Sequence, residues 1–246
     1  FKDPTEAFNQ LGIYSACLKI TVIITMFTQA FRYAYEPFIF AQNKEQGSGE
    51  DSRKPYAMAM KYFIIFALLV FLAVMFYVDL LKYVNRFKEY TVGLDIMPIA
   101  MLGEIFFGIY FNLSVWYKLT DNTRFGAWFS ILGCIITVIF NLVFVPIIGY
   151  IASAWATFFC NLTIMTISYL FGQKYFPIKY DLKKIFMYFA LTAIIYIAAM
   201  YPEIDNVVLR ITYRTILLIA FGAVIVRKDL PLSEIPIIGR KFKKKN

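Results

Sequence analysis

No histidine occurs in the 246 residues. Its absence removes Ser-His-Asp and Cys-His catalysis and takes away the commonest ligand of a transition metal. Cysteine is scarce too: Cys17, Cys134 and Cys160 lie inside apolar runs with no CxxC spacing. They read as small packing residues rather than disulfide partners or metal ligands. Charged residues make up only 17% of the chain, and no polar stretch is long enough to fold as a soluble domain. A membrane glycosyltransferase or polymerase, which would carry its catalytic cluster in a sizeable extramembrane loop, is therefore disfavoured, and no cofactor or enzymatic role is expected. The chain starts at Phe1, without methionine or targeting segment, just before a long apolar run. It reads as part of something longer.

What is present is apolar. Hydrophobic residues make up 60% of the chain, above the share in ordinary soluble domains. Seven apolar segments can be drawn, over 13–40, 56–83, 94–117, 126–145, 150–172, 185–201 and 211–226. Runs of this length suit a hydrocarbon layer of ~30 Å. The expected fold is all-α, a polytopic transmembrane bundle of about seven spans. Alternate connections are unequal in charge: one side carries Lys44, Arg53, Lys54, Lys118, Arg124, Lys174, Lys179, Lys183, Lys184 and seven basic residues of the tail, the other only Lys2, Lys82, Arg86, Lys88 and Arg210. The positive-inside rule puts the C terminus in the cytoplasm and Phe1 outside. The net charge of +9 is thus spent on topology, and nucleic acid is not an expected partner. The polybasic tail, 227–246, should lie on anionic membrane lipid.

The first span is unusual in carrying Lys19, Gln29, Arg32 and Glu36 inside its apolar run. At about 100° per residue, Thr21, Thr25, Thr28, Gln29, Arg32 and Glu36 share an arc of about 100°. Charges at this depth cost at least ~2.5 kcal/mol, so the arc should face a bundle interior or a watery cavity. The competing reading is that Arg32 and Glu36, at i and i+4, only pair with each other near the headgroups. Lys19 lies outside the arc and could snorkel to the nearer surface.

Glu104 falls about 13 Å along the third span from Asp95, near the bilayer middle. It reads either as a coupling or gating carboxylate or as a protonated side chain bonded to a neighbouring helix. Pro98, Gly93, Gly103 and Gly108 suggest a bendable helix, although proline and glycine are also frequent in static membrane helices. On the fifth span, Ser153, Thr157, Asn161 and Ser168 share one side, and Gly149/Ser153 and Ala152/Ala156 have small-xxx-small spacing. A close helix interface is the simpler reading, a solvated cavity the other. Thr137 and Asn141 on the fourth span are weighed the same way. Lys61 and Asp79 read as interfacial, and 181–189 as an amphipathic lead-in to the sixth span.

The wording LGIYSACLKI with FRYAYEPFIFAQ, then GIYFNLSVWYKLTDNTRFGAWFSILG, VPIIGYIASAWATFFCN and ISYLFGQKYFPIKYDLKK, resembles bacterial polysaccharide biosynthesis proteins that act as oligosaccharide flippases. These are members of the multidrug/oligosaccharidyl-lipid/polysaccharide exporter superfamily. The resemblance runs from about Gly12 to Lys184; the last two spans match only by position and hydropathy. It implies that 1–246 is the C-terminal transmembrane portion, about helices 8 to 14, of a two-lobed protein whose N-terminal lobe is a missing partner. It further implies flipping of an undecaprenyl-diphosphate-linked oligosaccharide across the bacterial inner membrane by alternating access, for O-antigen or capsule synthesis. In that setting Arg32 and Lys19 contact the diphosphate. Glu104, on its depth alone, and Glu36 are expected to couple or gate, and Gln29, Asn112, Asn141 and Asn161 to line the cavity. The alternative within the superfamily is a multidrug/cation antiporter, which would need a net acidic cavity.

Overall fold

The computed structural model describes residues 4–46, 53–78, 80, 93–202 and 204–229. Among these residues there is no strand, and the chain is an all-α polytopic bundle. The helices are α1 (Pro4–Gln46), α2 (Lys54–Tyr77), α3 (Met97–Leu113), α4 (Val115–Leu119), α5 (Arg124–Ile148), α6 (Tyr150–Tyr175), α7 (Leu182–Met200) and α8 (Val207–Lys228). With α3 and α4 taken as one span, seven segments among the described residues are long and apolar enough to cross a membrane. They follow the expected seven in order and, within a few residues, in extent. The largest departure is α1, which starts earlier than expected and at 43 residues is ~65 Å long, more than a hydrocarbon layer needs.

Helix ends follow local chemistry. Asp181 accepts the Lys184 amide at 3.2 Å, and Asn206 accepts from Val208 and Leu209, so α7 and α8 each begin on a side-chain cap. The α5–α6 junction is a single residue, Gly149, at φ 64° and ψ −146°. Only glycine adopts that conformation without strain, and it folds α6 back along α5.

α3 lies at the centre, against α6, α1 and α2; α5 packs on α6, while α7 and α8 pack on α2. The α3–α6 contact is close because Gly103 faces the Phe158 backbone and Ala152, Ala154 and Ala156 are fully buried. The small-residue spacing on α6 therefore marks a helix interface. α5 is the opposite case: Trp128, Ile131, Ile135, Val138, Ile139, Leu142 and Ile147 are exposed along its length, as suits a face turned to lipid or to further protein.

The third span is interrupted near its end. Pro98 sits in the first turn of α3, where a missing amide costs nothing, and Gly93, Gly103 and Gly108 are points of close approach rather than bends. The break falls at Ser114, whose hydroxyl bonds the Phe111 carbonyl at 2.6 Å. That bond competes with the regular ladder and lets α4 restart.

Lys61, expected at an interface, bonds buried Asp229 at 2.7 Å. Asp79, residues 47–52 and 81–92, and the chain from Leu230 onward lie outside the described residues. Arg214 falls inside the last apolar span. It is buried and donates to the Phe76 carbonyl at 3.2 Å and the Ala199 carbonyl at 3.4 Å. A cation thus meets the C-terminal turns of α2 and α7, where orphan carbonyls and the helix dipole favour it.

Candidate functional site

The polar arc of α1 faces the third span. Cys17 Sγ bonds the Gly93 carbonyl at 3.0 Å, Thr25 Oγ1 donates to Glu104 Oε2 at 2.9 Å, and Glu36 Oε1 accepts from Lys118 Nζ at 2.6 Å. Arg32 lies between the last two contacts, its guanidinium carbon 4.7 Å from the Phe111 ring centroid. Residue numbers rise together on both sides, so the two spans run parallel in one register over some twenty residues. Side chains three and four apart share a helix face. The Thr, Thr, Arg and Glu steps of α1 therefore meet successive turns of α3 and α4.

At one end this seam opens into a recess lined by Thr28, Phe31, Arg32, Tyr35, Glu36, Gly108, Phe111, Asn112 and Lys118. Glu36 Oε1 takes both Arg32 Nε, at 3.1 Å, and Lys118 Nζ. Two cations sharing one carboxylate leave the mouth with one positive charge in excess. Arg32, Glu36 and Lys118 are about one-third exposed there, whereas Thr28 and Asn112 at the inner end are buried. Arg32 also makes a cation–π contact with Phe111, which steadies its plane. Such a mouth suits an anion held by charge-assisted hydrogen bonds.

The structure places the other candidates as follows. Gln29 is half-buried on the border of the arc, and Asn112 donates to the Gly108 carbonyl at 3.0 Å. Lys19 is exposed on the far side of α1, among Leu18, Val22, Ile23 and Met26. Thirteen residues separate it from Arg32, ~20 Å along the helix, so no small ligand touches both at once. Asn161 is buried and donates to the Gly103 carbonyl at 3.0 Å, tying α6 to α3. Asn141 accepts from Ser153 at 2.8 Å across the α5–α6 pair. These two asparagines bind helices together rather than line the recess.

Glu104 stands apart from the cations. Its carboxylate takes the Thr25 hydroxyl, Tyr14 lies near it and against Thr157 of α6, and among the described residues no cation pairs with it. A group so placed can hold or release a proton or a small cation deep in the bundle.

Sequence reasoning missed two participants and one buried carboxylate elsewhere in the bundle. Lys118 looked like a loop charge and was counted for topology; it reaches the seam because α4 restarts after Ser114. Thr28 was only one threonine of the arc. Asp229 was unmarked at the edge of the tail, yet it is buried and bonded to Lys61, Tyr188 and Lys184. A carboxylate next to the last apolar run, with lysines at the starts of other spans, was the available signal.

A second cleft, of about 220 Å³, lies between α2, α3, α6 and α7 and is walled by apolar side chains such as Met60, Ile64, Phe106, Ile109, Met165 and Phe189. Thr166, Tyr169 and Tyr180 line it as well, so it is mainly, though not wholly, apolar.

A family model described as MatE matches residues 8–143, taking in the first three spans and nearly all of the fourth. The α1, α3 and α4 residues of the seam all fall within the match. No curated protein and no solved structure matches the chain.

Proposed function

The chain belongs to the MatE family, whose members are membrane transporters rather than enzymes, and from that premise we propose that it flips an undecaprenyl-diphosphate-linked oligosaccharide across the bacterial inner membrane by alternating access. The observation that carries this reading is the sign of the charge at the mouth of the α1–α3 recess, where Arg32 and Lys118 outnumber Glu36. A diphosphate cannot enter hydrocarbon without losing its hydrogen bonds. Cations beside a half-buried recess replace those bonds with charge-assisted ones. Arg32 and Lys118 take the diphosphate, Glu36 holds them in place while the site is empty, and Lys19, farther along the same helix, meets the head group later in its passage.

In this proposal a second lobe of the polypeptide covers the exposed face of α1, and the basic ends of the bundle face the cytoplasm. Leu18, Val22, Ile23, Met26 and Tyr33 form that uncovered face, with Lys19 its one charge. A leaflet-inversion assay on the complete protein tests the reading. Replacing Arg32 and Lys19 together by alanine is expected to stop transfer at normal expression; transfer at the parent rate would sink it.

One observation favours the second reading, a multidrug/cation antiporter. Glu104 is a carboxylate deep in the bundle with only hydroxyls for company, as a site for a coupling ion requires. Dye or cation export by the parent, with no effect on lipid-linked sugars, would establish that activity instead.

A further inference from the structure

α6 and α7 follow each other in the chain but stand on different neighbours: α6 packs on α3 and α5, α7 on α2 and α8. Between them lies the cleft of about 220 Å³. Met60 and Ile64 of α2 and Ile109 of α3 floor it, and Phe106 and Phe189, with ring centroids 6.1 Å apart, border its inner end. At the other end stand Tyr169 and Tyr180, also 6.1 Å apart, and the exposed Leu182. The Thr166 hydroxyl in the wall donates to the Leu162 carbonyl at 2.7 Å, so it requires nothing of an occupant. The cleft is thus graded, apolar inside and tyrosine-lined at its mouth.

The mouth is also basic. Tyr180, Leu182 and Ile185 line the cleft, and their chain neighbours are Lys179, Lys183 and Lys184, with Cα atoms about 4 Å away. The stretch 174–184 carries four lysines and one acidic residue, Asp181. Lys184 also reaches the buried Asp229 at 3.5 Å, and the stretch stays net positive with that charge counted.

We propose that this wedge holds one anionic glycerophospholipid, with an acyl chain in the cleft and the phosphate on the lysines of 174–184. The cleft lies among helices long and apolar enough to cross a membrane, so the molecules that reach its open side are lipids. A methylene takes up about the room of a water in the liquid, ~30 Å³, and 220 Å³ therefore admits about seven carbons. Leu182 and Phe189 are ~10 Å apart along α7. Spread over that length, the volume leaves room for one unbranched chain and little for the methyl branches of a polyprenyl chain. The rest of the acyl chain passes Thr166 and Leu182, both exposed, into the bilayer. Lysines near the membrane surface attract anionic lipid, and tyrosines suit the level of the head groups. The bound lipid fills the gap between the α3–α6 and α2–α7 pairs, whichever substrate the protein carries.

The test takes the complete protein in mild detergent with equal amounts of dioleoyl phosphatidylglycerol and dioleoyl phosphatidylcholine, and counts retained lipid by native mass spectrometry. The parent is expected to keep one phosphatidylglycerol, preferred about tenfold. Lys179→Gln combined with Lys183→Gln should abolish the preference and leave phosphatidylcholine retention unchanged. Ile185→Trp fills the cleft and should lose both lipids. Leu182→Trp obstructs the mouth from a half-exposed position, so it should lose both while melting like the parent. Equal retention of the two lipids by the parent would overturn the site. So would undiminished retention by Leu182→Trp, since the lipid would then sit elsewhere. Added undecaprenyl phosphate should not displace the phosphatidylglycerol; displacement would give the cleft to a polyprenyl chain and overturn the phospholipid assignment.

Discussion

Lys118 and Glu36 are 82 residues apart in sequence and 2.6 Å apart between Nζ and Oε1. The same oxygen holds Arg32. An anion arriving at the mouth must therefore compete with Glu36 for both cations and approach against its charge. Glu36→Gln relieves both effects and should tighten pyrophosphate binding to the complete protein, by about tenfold at most. The bound comes from exposure: partly solvated ion pairs are worth ~1 kcal/mol or less. For the same reason the melting temperature should scarcely move. Calorimetry with pyrophosphate checks this, and unchanged or weaker binding would show that Glu36 does not compete.

At the end of α8, Asp229 joins three helices. Its carboxylate takes Lys61 of α2 at 2.7 Å, Lys184 of α7 at 3.5 Å and the hydroxyl of Tyr188, also of α7, while its carbonyl accepts from Tyr62. Burial pushes this carboxyl up, but the hydrogen bonds from Lys61 and Tyr188 and the charges of Lys61 and Lys184 outweigh it and hold the group below the usual carboxylate range. In the unfolded chain an aspartate protonates near ~3.9. The stabilisation is thus fully present above that pH and is lost as pH falls further, through the lower folded value. Asp229→Asn should cost about 3 kcal/mol at neutral pH, as for a broken buried pair. Its deficit against the parent should narrow below about pH 4. Melting curves at several pH values would reveal it; a deficit that does not narrow in acid would contradict the assignment.

How much of this was legible follows from what a single helix can encode. The spans were, because length and apolar composition are local. The polar arc of α1 was too, since Thr21, Thr25, Thr28, Arg32 and Glu36 are on one face by helical geometry alone. What the arc faces was not. That Glu36 meets Lys118 depends on the parallel register of α1 and α3 and on the restart at Ser114, which are tertiary facts. The pairing of Lys61 with Asp229 was not legible for the same reason: each looks like an ordinary boundary charge until α2 and α8 are placed side by side. Asn141 and Asn161 had the right character, polar and inward, and the structure shows them joining helices. Lys19 was weighted by family resemblance, and the geometry leaves it on the other side of α1.

The α3–α6 contact should be sensitive to a single methyl group. A Cβ on Gly103 would stand 3.3 Å from Phe158 Cα and 3.4 Å from its nitrogen. Backbone cannot turn aside as a side chain does, so α6 must shift, and Asn161 would move away from the Gly103 carbonyl with it. Gly103→Ala should therefore destabilise the protein by about 1–3 kcal/mol, the range for overpacking a tight core. A thermal melt in detergent that matches the parent would show that the helices have slack there.

Glu104 separates coupling from structure. Glutamine has the same shape and can accept the Thr25 hydroxyl through its amide oxygen, so Glu104→Gln should fold and melt like the parent. Leucine removes the acceptor, but Thr25 can turn its hydroxyl back to a carbonyl one turn earlier, so even Glu104→Leu should cost only about 1 kcal/mol. Transport is where the variants should fail. A carboxylate that takes up and releases an ion during the cycle makes transport depend on the ion gradient, and an amide cannot titrate. Glu104→Gln in proteoliposomes is therefore expected to lose the response to an imposed proton or sodium gradient while still binding substrate. Retention of the parent's gradient dependence would reduce Glu104 to a helix contact with Thr25, and the driving force would then have to enter elsewhere in the protein.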